Sequence, residues 1–201
     1  AIDAGKTDVE IRMNTNATNL NKEYRELLSK FTNLNIVVSL DGYDKVNQYI
    51  RWPADWNTIV ENVHGIKDIT SNLAFNVTVS IWNITSLSSL VHFLEKEFPN
   101  SPILLNKVMY PPHQQFTTFP CKGLVLNDLD LLTKTKSYSK DESFKSKVDY
   151  YINEIIKAPL NIEDLEKFFE YNDVLDKSRN ILLKDYIPEL EECRKLITKQ
   201  I

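Results

Sequence analysis

Residues able to do chemistry gather at four places along the chain: Asn14-Thr15-Asn16, Ser39-Leu40-Asp41-Gly42, Asn76 with Thr78, and Asn106-Lys107. Each ends or interrupts a short apolar run, so each falls toward the carboxyl end of an expected strand. That edge is where parallel α/β folds bind ligands. A polar group facing inward from a central strand is costly unless paired, so each of these is either satisfied by a neighbour or available to a ligand. Asn14, Asn16 and Asp41-Gly42 also suit turn and capping chemistry. Ser39 is a hydroxyl inside an otherwise apolar strand.

Other chemistries lack their residues. Gly5, Gly42, Gly65 and Gly123 are too scattered for a GxGxxG or GxxxxGK-type phosphate loop, and no Ser sits in a GxSxG turn. His64, His92 and His113 have no second ligand at i+4, so structural or solvated roles outweigh a metal role. Cys121 and Cys193 lie far apart and form no CxxC motif, and the default reading is two free, reduced thiols. A net charge of −4 and a pI near 5.5 lack the basic footprint of a nucleic-acid or acidic-membrane binder. Neither a spanning apolar stretch nor a signal-peptide core is visible, and a soluble, cytosolic chain is expected. The sequons at Asn16, Asn76 and Asn83 carry little weight, because two of them sit in or just past expected strands. The first residues run straight into a strand, as in a piece of something longer.

The elements that must position these groups follow from periodicity. Val9, Ile11 and Met13 alternate with polar residues, giving a strand over 9–15. Leu20, Tyr24, Leu27, Leu28 and Phe31 form a helical stripe that Thr18 or Asn19 could cap. Ile36-Val37-Val38 is a buried-strand run, and a helix follows Pro53 with Trp56, Ile59, Val60 and Val63, ending near Gly65. Leu73 to Ile81 alternates as a third strand. A helix opening at Thr85 carries Leu87, Leu90, Val91, Leu94 and Phe98, and Ile103 to Met109 is a fourth strand. Strands spaced by helices in this way imply right-handed crossovers and a parallel sheet. After a polar loop over 111–120 and a Lys/Ser-rich stretch over 134–140, Phe144 to Ile156 and a segment capped by Asn161 read as helices. The expected division is a βα-rich part, 1–133, and a helical tail, 134–201.

On these residues a resemblance appears. Thr15-Asn16, Ser39-Leu40-Asp41-Gly42-Tyr43 and Val46-Asn47-Gln48-Tyr49-Ile50-Arg51 followed by Trp56 look like the middle of a radical S-adenosylmethionine (radical SAM) barrel. Asp176-Lys177-Ser178-Arg179 through Tyr186-Ile187-Pro188-Glu189-Leu190 is similar to the end of the twitch-domain radical SAM proteins. The resemblance implies an α/β fold in which about four βα units form a partial parallel (β/α) barrel with a mainly helical C-terminal tail. It implies S-adenosylmethionine as cofactor. Ser39 would bond the carboxylate or ribose, Arg51 would pair with the methionyl carboxylate, and Asn76 or Thr78 would line the adenosyl side. Asp41 and Asn16 complete the expected cofactor-binding set, although Arg51 could equally brace its own loop.

The family holds a [4Fe-4S] cluster on a CxxxCxxC loop and receives the SAM amino group on a Gly-Gly-Glu segment. Neither motif exists here, so this chain alone should not cleave SAM. The complete enzyme would make a 5′-deoxyadenosyl radical that abstracts hydrogen from an unknown substrate. The open edge of the first strand would pair with a missing N-terminal segment or a second chain. The alternative is a cluster-free degenerate barrel acting as a ligand-binding or protein-interaction module.

Overall fold

The structure is a computed structural model that describes residue 2 and residues 5–198, with side chains through residue 195. Its first half alternates β1 (Glu10–Thr15), α1 (Lys22–Leu28), β2 (Asn33–Ser39), α2 (Lys45–Ile50), α3 (Trp56–Lys67), β3 (Asn72–Val79), α4 (Leu87–Glu97) and β4 (Ile103–Lys107). Two short 3-10 turns, Pro112–Gln114 and Phe116–Thr118, lead into α5 (Lys122–Leu132) and α6 (Lys136–Lys140). The rest is α7 (Glu142–Lys157), α8 (Ile162–Arg179), α9 (Leu183–Tyr186) and α10 (Pro188–Thr198).

All four strands are parallel, and their spatial order, β1-β2-β3-β4, is their chain order. The expected α/β class with a parallel sheet is therefore present. Alternation gives the sheet two unlike faces. Leu34, Ile36 and Val38 of β2, Phe75, Val77 and Val79 of β3, and Ile103 and Leu105 of β4 are buried. Fully burying each such side chain contributes about 2 kcal/mol. The opposite face carries Asn14, Asn35, Ser39, Asn76, Thr78 and Asn106, all partly or fully exposed. Asn106 Nδ2 donates to Asn76 Oδ1 at 2.6 Å, and Asn72 Nδ2 donates to Asn35 Oδ1 at 2.5 Å, so neighbouring strands satisfy part of this polar face.

Local chemistry sets the helix starts. Asn21, Asp55, Asp141 and Asn161 cap α1, α3, α7 and α8 by accepting backbone N–H bonds in the first turn. The cap of α1 is thus Asn21 rather than Thr18 or Asn19, which lie in the turn after β1. Gly65 does not end α3, which continues to Lys67; a Cβ there would meet the Arg25 guanidinium. Three short departures share one cause. The fourth strand stops at Lys107, Ile81 turns into the loop after β3, and Ser86 rather than Thr85 precedes α4, since element ends fray and local signals fix them only to within a few residues.

Two helices have no counterpart in the expected pattern. The α2 helix is under two turns and buries Asn47 and Tyr49, with Val46 and Ile50 partly buried beside them, a set too short to repeat as a stripe. The α5 helix buries Val125, Leu129 and Leu132, but Leu124 and Leu131 on its exposed side blur the stripe. The loop over 111–120 buries Phe116 and Phe119, and the Lys/Ser-rich stretch contains α6. One apolar cluster runs from Ala17, ahead of α1, to Cys193 in α10. In it α7 packs on α5 and β4, α8 on the first 3-10 turn, and α9 on α2. No helix among the described residues is long and apolar enough to cross a membrane.

Candidate functional site

Asp41 leaves β2 at its carboxyl end and is fixed from four directions. Its N–H donates to Asn47 Oδ1 at 3.0 Å, and its carbonyl accepts from Asn83 Nδ2 at 2.5 Å. Its Oδ1 accepts the Thr78 N–H at 2.8 Å, and its Oδ2 pairs with Arg51 Nη2 at 2.7 Å. Gly42 is required beside it. A Cβ at residue 42 would lie 2.6 Å from Val46 Cγ1 and 2.9 Å from the Asn47 nitrogen, so only glycine lets the chain turn this closely onto α2. The ion pair is largely shielded, with side-chain exposures of 23% for Arg51 and 10% for Asp41.

This constellation leaves donors over. Arg51 Nε and Asn47 Nδ2 are buried and without a partner, although Arg51 ends α2 beside a cavity. Buried donors of this kind cost roughly 1–3 kcal/mol each when unpaired. The cavity, of about 330 Å³, is lined by Asn16, Thr18, Arg51, Trp52, Asp55 and Thr58, among others. Such a pocket can accept a carboxylate or another compact acceptor against the guanidinium.

The six expected site residues divide into two groups. Asp41, Arg51 and Asn16 gather around the cavity, with Asp41 acting through Arg51. Asn16 also performs the turn chemistry open to it, its Oδ1 accepting from the Thr18 N–H at 3.2 Å and hydroxyl at 2.8 Å. Ser39, Asn76 and Thr78 stand together on the polar sheet face, Ser39 in register with Asn76. Ser39 is not among the residues lining the Arg51 cavity; the backbone of Thr78 joins the two groups by its bond to Asp41.

Two further sets of residues belong here that sequence reasoning passes over. Asn83, fully buried, donates to the carbonyls of Asp41 and Thr78 and accepts the Ser80 N–H at 2.8 Å. Its only sequence signal is a glycosylation sequon, and its amide is already spent inside the fold. The second set ties the tail to α2. Tyr49 Oη lies 2.7 Å from Asp176 Oδ1 and 2.9 Å from Asn172 Oδ1, and Arg179 Nη1 donates to the Tyr49 carbonyl at 2.8 Å. Trp82 Nε1 donates to Asn172 Oδ1 at 2.8 Å. Burial, then the bond to Asp176, raises the Tyr49 pKa well above the usual phenol value. Tyr49 belongs to the Tyr-Ile-Arg run and Asp176 and Arg179 to the Asp-Lys-Ser-Arg run, so the two stretches that carry the resemblance touch in space.

The described residues contain no group of three or more His, Cys, Asp or Glu that could hold a metal ion. Cys121 and Cys193 adjoin each other, too few for a [4Fe-4S] cluster, so the chain's own residues do not fit that group. Comparison with protein-family models and with curated proteins returns no match.

Proposed function

We propose that this chain is the carboxyl-terminal portion of a cytosolic radical SAM enzyme, supplying part of its SAM-binding wall and no cluster ligand. The observation that carries the reading is Arg51: a guanidinium held by Asp41 at the carboxyl edge of a parallel sheet, with its buried Nε unpartnered beside a cavity. A fork-shaped cation of this kind suits the methionyl carboxylate of SAM. Support also comes from sheet order. Strands that follow one another in chain order form the arc of a (β/α) barrel, and the polar face carrying Ser39, Asn76 and Thr78 would line its interior.

In this reading Arg51 binds the carboxylate, Asp41 orients Arg51, Asn16 lines the same cavity, and Ser39 with Asn76 and Thr78 offers polar contacts from the sheet. When bound in a complete enzyme, SAM supplies a 5′-deoxyadenosyl radical for hydrogen abstraction from the substrate, whose identity the reading leaves open. The residues of this chain orient and exclude water. Among the described residues the outer edge of β1 pairs with no strand, and it would take the strands that complete the barrel.

Two measurements test this. The coding sequence upstream of Ala1 is expected to encode CxxxCxxC and a Gly-Gly-Glu segment within roughly 100 residues, the length of two βα units and a cluster loop. A start codon directly before Ala1 overturns the enzyme reading and leaves a cluster-free binding module. Calorimetric titration of the chain with SAM should show binding that Arg51→Gln weakens about 10- to 150-fold, the worth of one charge-assisted hydrogen bond. Equal affinity in the two proteins removes Arg51 from the site.

A further inference from the structure

The two cysteines lie 72 residues apart in sequence, yet the fold sets their Sγ atoms 2.8 Å from each other. Cys121 sits immediately before α5 and is half-buried; Cys193 lies within α10 and is 1% exposed. They are the only cysteines in the chain, so each has one intramolecular partner. Forming a bond at about 2.05 Å needs an approach of about 0.8 Å, a displacement that side-chain motion covers.

We propose that Cys121 and Cys193 form a reversible redox modification site, at which a small-molecule disulfide oxidises the pair to an internal disulfide that pins α10 to the start of α5. The roles follow from access. Solvent reaches Cys121, whose thiolate attacks one sulfur of the small-molecule disulfide, forming a mixed disulfide and releasing one small thiol. Cys193 then attacks the Cys121 sulfur, gives up its proton, and expels the second small thiol. Two protein thiols are oxidised and one external disulfide is reduced to two thiols, so electrons and protons balance. Burial, then contact with Cys121, pushes the Cys193 thiol above its ordinary pKa, which suits it to the second, resolving step rather than to the first attack.

The α10 helix contacts α9, and α9 contacts α2, at whose carboxyl end Arg51 stands. The cross-link closes a 72-residue span of chain, which restricts the unfolded ensemble and leaves the native packing nearly unchanged. None of this depends on what the Arg51 cavity binds.

The test treats the chain with oxidised glutathione or with dithiothreitol, then titrates thiols, maps peptides without reduction and follows thermal unfolding. Oxidation is expected to take free thiols from two to none, to yield a peptide joining Cys121 to Cys193, and to raise Tm by about 10 °C, reversibly on reduction. Cys121→Ser should abolish the Tm rise and leave Cys193 unreactive. Because both states of the unaltered chain are compared, the result stands even where Cys193→Ser fails to fold. A stable glutathione adduct on Cys121, an intermolecular disulfide between two copies, or a cross-link that does not raise Tm would overturn the proposal.

Discussion

Asn83→Ala is the sharpest probe of what holds the candidate site in shape. The Asn83 amide bridges three backbone groups that no helix or sheet ladder uses: the carbonyls of Asp41 and Thr78 and the N–H of Ser80. Since the residue is fully buried, water cannot replace the lost partners. Three bonds at about 1 kcal/mol net each, plus the penalty for a stranded N–H and a small cavity, give a loss of about 4 kcal/mol. With a urea m-value of about 2 kcal/mol/M, the unfolding midpoint should fall by about 2 M. Asn83→Asp is the control. It keeps the acceptor for Ser80 but turns an oxygen toward two carbonyls, and should cost at least as much as alanine at neutral pH. Urea unfolding followed by tryptophan fluorescence reads both. A midpoint shift below about 0.5 M for Asn83→Ala, or a wild-type midpoint for Asn83→Asp, would refute the view that this amide braces Asp41.

Two further expectations use the same assay. A double-mutant cycle with Asp41→Asn and Arg51→Gln should give a coupling energy of about 2 kcal/mol, because the pair is shielded and its Oδ1 also accepts the Thr78 N–H; a coupling below about 0.5 kcal/mol denies the pair its role. The two buried tyrosines should behave oppositely. Tyr49→Phe loses the bond to Asp176 and about 1–2 kcal/mol, whereas Tyr151→Phe removes a buried hydroxyl that has no partner and should be neutral or stabilising by about 1 kcal/mol. In both tyrosines burial raises the pKa of the folded protein, so their contribution is complete below about pH 10 and is lost as pH rises and the unfolded chain ionises first. Each should add a fall of about 1.4 kcal/mol per pH unit above that point, and its Phe variant should remove that part of the slope.

Much of the scaffold is written locally. The alternation around Phe75, Val77 and Val79, the stripe through Leu87, Leu90, Val91 and Leu94, and the cap at Asn161 each depend on residues within a few positions of one another. Periodicity therefore finds β3, α4 and α8, and with them the parallel α/β class. The placement of Ser39, Asp41, Asn76 and Thr78 at or near strand ends follows from the same local signals. What the sequence cannot express is a partner chosen across the fold. Asn83 looks like a sequon until Asp41 and Thr78 surround it, and nothing near Tyr49 in the chain marks it as the partner of Asp176 and Arg179. The short α2 goes unannounced because it is under two turns, too few for Val46, Tyr49 and Ile50 to repeat as a stripe, and the buried Asn47 interrupts them. The two cysteines read as separate thiols until α10 folds back onto α5. Local propensity determines which elements form. Only the packing of elements far apart in the chain decides which polar groups are satisfied and which donors, at Arg51 and Asn47, are buried without a partner.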